Sequence, residues 1–332
     1  MLARTASNLY WMSRYVERAE NTARILDVTY RMSLLPVEPE LLNQEWFAPL
    51  NITGSLFPFT GRHTTVRAED VMHYLSLDRD NPTSIWSCIR RARESARAVR
   101  GTITSEMWEV LNTSWLDLLS LDESRTLRAP SPWFDWVKER SHLFRGVTFG
   151  TMLRDDAYDF TRLGTHIERA DSTARILDVK YHVLLPSVED VGGAVDYYQW
   201  SAVLRSLSAF ESYRKVYKDA LTPMRVAELM TLRDDVPRSL AFCMAEVFRT
   251  VSKVHNDASA ETLRRAGEMR SALEFGRIED VMDQGLHEFL TQFLAKNSEL
   301  GEHIEASFFG TPPATAARRQ RANGQRQSQK LG

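Results

Sequence analysis

Cysteine is nearly absent: Cys88 and Cys243 are the only two in 332 residues. A chain of this length can bury a core without staples, so two cysteines fit free, buried thiols in a reducing compartment better than a disulfide framework. Glycine and proline are also sparse, at 15 and 12 residues, and long strand-like alternations are missing. No segment approaches the ~18 uncharged apolar residues of a membrane span, and the opening MLARTASNLYWMSRYVERAE lacks the continuous apolar stretch of a secretion signal. We therefore expect a cytoplasmic protein without a membrane segment. A large charge of one sign is lacking as well: 42 basic residues stand against 44 acidic ones, which argues against nucleic acid as a partner.

Catalytic motifs are missing too. The chain contains no Walker loop, no G-x-S-x-G elbow and no HExxH. A di-iron carboxylate bundle needs Glu-x-x-His on two helices, and none occurs. Asp283 with His287 and Glu299 with His303 have i,i+4 spacing, but on one straight helix the two pairs lie about 24 Å apart, too far for one metal. They read as surface pairs, and neither metal nor cofactor is expected. Apolar helix neighbours around Cys88 and Cys243 favour inert thiols over nucleophiles. The tryptophans, among them Trp11, Trp46, Trp86, Trp108 and Trp115, read as core anchors. A helix-turn-helix over the first segment is unsupported, because that segment contains no turn residue.

What is present is helical periodicity and a repeat. Residues 17–28 read ERAENTARILDV and residues 168–179 read ERADSTARILDV, identical at 10 of 12 positions. The ten positions just upstream share none. The pattern predicts a long helix over 5–34, ended by Pro36, and its copy over 157–184, ended by Pro186. Trp46-x-x-x-Leu50 answers Trp200-x-x-x-Leu204, and Asp80-x-Pro82-x-Ser84 answers Asp235-x-Pro237-x-Ser239, which sets Cys88 opposite Cys243. Each of those prolines is expected in the first turn of a helix, over 82–100 and 237–255. Further helices are expected at 68–77, 105–119, 132–149, 195–218, 226–232, 259–275 and 278–308, with an irregular stretch at 51–65. The predicted fold is an all-α, internally duplicated pseudo-twofold bundle with long antiparallel helices, its domain at 1–310 and its halves at about 1–156 and 157–310. Residues 311–332 carry five basic side chains and no acidic one, and read as a disordered basic tail.

On a helix at ~100° per residue, Glu17, Asn21, Arg24 and Val28 share one face. Ala19, Thr22, Ala23, Leu26 and Tyr30 form the opposite, core-facing side. Glu20 with Arg24, and Asp171 with Arg175, are i,i+4 pairs that serve as local helix support, and Arg24 can also meet Asp27. Adjacent residues point ~100° apart, so Glu17 and Arg18 need partners from elsewhere. One reading is an interlock, in which Glu17 meets Arg169 while Glu168 meets Arg18. The other is a ligand site, where Arg18, Arg24, Arg169 and Arg175 face a shared cavity and bind an anionic group while the carboxylates of Glu17 and Glu168 hold them in place. The stretch 51–65, with Arg62 and His63, is the expected functional loop or an ordinary surface connection.

The phrases NLYWMSRYVERAENTARILDV, RLGTHIERADSTARILDV, NPTSIWSCIRRARESARAVR and ITSEMWEVLN resemble the Alpha-E family, a bacterial all-helical family named for its Glu-Arg motif and long a domain of unknown function. The resemblance covers residues 1–310. Its pattern implies a Gly-Arg pair before each ER motif; here the first copy has Ser13-Arg14 and the second Gly164-Thr165. If that Arg binds a ligand, only Arg14 remains for it, which disfavours two equivalent sites. The resemblance further implies a neighbourhood of circularly permuted ATP-grasp ligases and transglutaminase-like proteins, a setting of peptide or amide-bond formation. The function it implies is an accessory or co-catalytic subunit of such a system. The alternative is an enzyme or binding protein whose Glu-Arg helices take a carboxylate- or phosphate-bearing substrate.

Overall fold

The computed structural model describes residues 1–34, 46–183 and 194–310, the side chains of 179–183 and 194–196 excepted. The tail 311–332, Pro36 and Pro186 lie outside the described residues. Every regular element among the described residues is a helix. Helix α1 (Ala3–Ser33) bears the first ER phrase. It is followed by α2 (Phe47–Ile52), α3 (Leu56–Thr60), α4 (Ala68–Ser76), α5 (Ile85–Ala98), α6 (Ser105–Leu119), α7 (Glu123–Arg128) and α8 (Ser131–Thr151). Helix α9 (Asp156–Val183) bears the second phrase. The remainder is α10 (Ala194–Ser206), α11 (Phe210–Tyr217), α12 (Pro223–Thr231), α13 (Leu240–Lys253), α14 (Ala260–Glu274), α15 (Ile278–Gln284) and α16 (Leu286–Phe309). None of these helices is long and apolar enough to cross a membrane.

Four boundaries differ from expectation, each for a local reason. Pro82 and Pro237 precede their helices instead of opening them. The starts of α5 and α13 are set by Ser84 and Ser239, whose Oγ atoms accept from the N–H groups of Ser87 at 3.1 Å and Phe242 at 3.0 Å. A serine cap satisfies an orphan donor of the first turn, and proline has nothing to offer there. The helix expected over 195–218 breaks between α10 and α11, where Ser208 takes φ 52°. The one expected over 278–308 breaks at Gly285, φ 95°, between α15 and α16. Left-handed backbone cannot continue a right-handed helix.

Helices α1 and α9 lie side by side at the centre. Tyr10 and Ser13 meet Gly164, Arg14 and Arg18 meet Glu168, and Asn21 meets Ser172, so partners advance in the same direction along both helices. The pair is therefore parallel, which corrects the antiparallel expectation for the two long helices. A short turn forces neighbours antiparallel, but here α2 through α8 intervene and the chain has length to return. The flanking helices do run antiparallel. Helix α8 lies against α1 through Lys138 on Asp27 and Ser141 on Glu20. Helices α13 and α16 lie against α9 through Glu246 on Arg162, Lys253 near Asp159, and Asn297 on the Ile167 carbonyl.

This enclosure buries α1 on both faces: Ala19 and Ala23 are 4% and 0% exposed, and Glu17 is 1% exposed. The supposed polar face is thus interior. The closest approach is at Gly164, where a Cβ would stand 2.1 Å from the Tyr10 carbonyl oxygen. Trp46, Leu50, Trp200 and Leu204 are all buried, as are the two thiols. Trp86 is buried, and Trp11, Trp108 and Trp115 pack against the core from its edge.

Candidate functional site

The two adjacent Glu-Arg pairs satisfy each other across the helix interface. Glu17 accepts from Arg169 Nε and Nη2, both at 2.9 Å. Reciprocally, Glu168 accepts from Arg18 Nε at 2.5 Å and Nη2 at 2.9 Å. Both are the two-point fork that matches guanidinium to carboxylate. Arg14 Nε adds a third donor to Glu168 at 2.8 Å, with its guanidinium over the Trp11 ring. The two halves of the implied Gly-Arg pair are each used once: Arg14 for this ion pair, Gly164 for the close approach that allows it.

Around Glu17 the cluster extends to residues the sequence reading passed over. Arg238, in the turn before α13, donates to Glu17 at 3.0 Å, to the Asn21 side-chain oxygen at 2.9 Å and to Glu20 at 2.6 Å. Arg145 of α8 reaches Glu17 at 3.2 Å and also Glu20. Ser141 Oγ donates to Glu20 at 2.6 Å. Glu20 is therefore no exposed helix-support partner of Arg24, although Arg24 Nε does donate to it at 2.8 Å. Its side chain is fully buried, which corrects the local explanation for this pair. Asp27, expected as a second partner of Arg24, is held instead by Arg31 and Lys138. Arg24 turns to Ser208 Oγ, 2.5 Å away. The second copy keeps the local arrangement: Arg175 donates to Asp171 at 2.7 Å and 3.3 Å, with 41% and 24% side-chain exposure.

The electrostatics follow from this packing. Burial alone pushes the Glu17 carboxyl up, but Arg169 and Arg238 overcome it and hold the group at about 2. Burial opposes ionisation of Glu168 as well, and Arg18 and Arg14 bring it to about 2. Burial also works against Glu20, which Arg238, His142, Arg145 and Arg24 nevertheless draw well below the usual carboxylate range. These groups stay ionised and cannot serve as general acids near neutrality. Cys88 and Cys243 are no nucleophiles either, since burial pushes both thiols up to about 12.

A glutamate unfolds to a pKa of ~4.3, above the folded values, so the stabilisation is complete above about pH 4.5 and is lost as pH falls toward 2. Each carboxyl contributes about 3 kcal/mol. Urea midpoints measured from pH 6 to pH 3 are expected to be flat above pH 5 and to fall steeply below 4.

The interface is closed around Glu17 and open beside Glu168. A cavity of about 280 Å³ lies there, lined by Arg18, Arg175, Asp171, Ser172, Thr83 and Gly54 among others. Of the expected site residues, Glu17, Arg24 and Arg169 are in the closed cluster, and Arg14 is engaged on Glu168. Arg18, Glu168 and Arg175 reach the cavity. The expected loop residues do not: Arg62 pairs with Asp78 at 3.3 Å and His63 stacks on Phe59 at 4.3 Å. Thr53 and Gly54, earlier in that stretch, do line it. No group of three or more His, Cys, Asp or Glu placed to hold a metal occurs among the described residues. His287 of the expected i,i+4 pair bonds Asp178 at 2.6 Å.

An all-helical fold built around two interlocked Glu-Arg motifs defines a class. The model of the Alpha-E family, described as a predicted alpha-helical domain with a conserved ER motif, matches residues 1–309, and the chain belongs to that family. It is similar to the uncharacterized proteins Mb2597 of Mycobacterium bovis and Rv2567 of Mycobacterium tuberculosis, 24% identical to each over 318 residues. The match takes in 88% of this chain and 35% of either relative, so the chain spans about a third of their length. No solved structure matches.

Proposed function

We propose that the protein is a helical accessory or co-catalytic subunit of a peptide- or amide-bond-forming system, working beside a circularly permuted ATP-grasp ligase and, in the same setting, a transglutaminase-like protein. The observation that carries this reading is the 35% coverage of the mycobacterial relatives: a unit like this one is joined there to further polypeptide, as a domain working beside another would be. The Glu-Arg pairs fit a subunit better than a catalytic centre, because their charges are buried against each other. In the same reading the protein acts in the cytoplasm. Its halves at 1–156 and 157–310 descend from one duplicated unit about a pseudo-twofold axis, which the reciprocal ion pairs and the matching serine caps support. The test is to mix the purified chain with a circularly permuted ATP-grasp ligase from the same organism. Co-elution and a rise of about tenfold or more in ATP-dependent amide formation over the ligase alone are expected. Separate elution with unchanged turnover contradicts the proposal.

One observation favours a second reading, in which the Glu-Arg helices of an enzyme or binding protein take a carboxylate- or phosphate-bearing substrate. That observation is the cavity beside Glu168, which leaves Arg18 and Arg175 accessible.

A further inference from the structure

We infer that this cavity is a single binding site for a small carboxylate-bearing molecule of about amino-acid to dipeptide size, its carboxylate held between Arg18 and Arg175. The inference rests on the second reading above and narrows it to one site and one anion.

The cavity has a closed counterpart on the Glu17 side. By the repeat, Thr83 stands where the other half has Arg238, since both sit between the matching proline and the capping serine. Gly54 stands where it has Ser208, four residues beyond Leu50 and Leu204 respectively. Gly54 and Ser208 even share the left-handed backbone, φ 64° and 52°. On the Glu17 side, Arg238 fills the space between Glu17, Glu20 and Asn21, and Ser208 Oγ takes up Arg24. On the Glu168 side both filling side chains are gone: Thr83 falls short, and a Cβ on Gly54 would meet nothing within 4 Å. The cavity is thus the space that two substitutions leave open.

The chemistry of its wall selects the ligand. Glu168 and Asp171 have both oxygens engaged by guanidinium N–H groups. Arg18 spends Nε and Nη2 on Glu168, and Arg175 spends Nε and Nη2 on Asp171. The Nη1 atom of each donates to nothing among the described residues. What the wall offers is therefore donors. The lining charges, Arg18 and Arg175 against Glu168 and Asp171, balance, and Arg14, which pairs with Glu168 without lining the cavity, leaves the group one positive charge in excess. One carboxylate neutralises that charge with charge-assisted bonds. A phosphate dianion would exceed it and stand against two carboxylates already in place. Ile25 and Ile52 line this cavity and also a smaller apolar slot of about 60 Å³, which gives a small apolar side chain a place to sit.

The test is calorimetric titration of the full chain with L-alanyl-L-alanine, its C-terminal amide, and inorganic phosphate. The acid is expected to bind, with the amide and phosphate each about tenfold weaker or more. Arg175→Gln is expected to weaken the acid by about tenfold. Gly54→Ser with Thr83→Arg, which rebuilds the closed counterpart, is expected to abolish binding. A melting curve checks that each variant is folded; should the double variant fail to fold, Arg175→Gln decides, because that side chain is 41% exposed. Equal binding of acid and amide, or acid binding indifferent to these substitutions, overturns the inference. Phosphate binding in place of the acid overturns the carboxylate and leaves the second reading standing. Absence of binding by any probe at millimolar concentration removes both.

Discussion

Glu17→Gln is expected to cost about 3 to 5 kcal/mol of folding stability. The substitution leaves Arg169 and Arg238, each 7% exposed, and the half-buried Arg145 beside an amide that can no longer balance them. The cost comes from uncompensated buried charge, which exceeds the net contribution of the intact pair. Glu168→Gln should cost nearly as much, because Arg14 and Arg18 lose their shared carboxylate. Asp171→Asn, at the matching position to Glu20 on the open side, should cost a few tenths of a kcal/mol, since its partner among the described residues, Arg175, is exposed and local. Urea denaturation of the three variants at pH 7 measures the contrast, and equal losses at Glu17 and Asp171 would contradict the assignment of a closed and an open side of the helix interface.

Gly164→Ala should be of similar severity for a different reason. The new Cβ would lie 2.1 Å from the Tyr10 carbonyl oxygen and 2.3 Å from Ser13 Oγ. The first obstacle is backbone, so it cannot be relieved by a rotamer change. Helices α1 and α9 would have to separate just where Arg14, one turn along, reaches Glu168. Overpacking a close contact costs about 1 to 3 kcal/mol, and loosening of the adjacent ion pairs adds to it. We expect a melting temperature lower by roughly 5 to 10 °C, on the scale of 2–4 °C per kcal/mol for a large domain. A Gly164→Ala variant that melts with the parent would mean the helices do not approach this closely.

The sequence made the helices legible because periodicity and sparse glycine and proline report them directly. It also made the Glu-Arg reciprocity legible, since adjacent residues on a helix cannot face each other. The parallel direction of α1 and α9 was not legible, because the same reciprocal pairing can be drawn with either direction. The burial of Glu20 was hidden by its i,i+4 partner Arg24, which supplied a sufficient local explanation. Arg238 was within reach: it is the one charged residue that breaks the match between Asp80-x-Pro82-x-Ser84 and Asp235-x-Pro237-x-Ser239. A departure between matching phrases can mark a difference in packing, and here Arg238 against Thr83 separates the filled space from the open one. Arg145 carried no such signal, because nothing in α8 announces which of its faces meets α1.

The doubled phrase forms a reciprocal lock between two parallel helices. A double-mutant cycle on Glu17→Gln and Arg169→Met tests it most directly. Removing both partners leaves less unbalanced charge than removing either, so the double variant should lose less stability than the sum of the singles by about 1 to 3 kcal/mol. Strictly additive losses, within about 0.5 kcal/mol, would mean the two side chains do not meet and would contradict the lock.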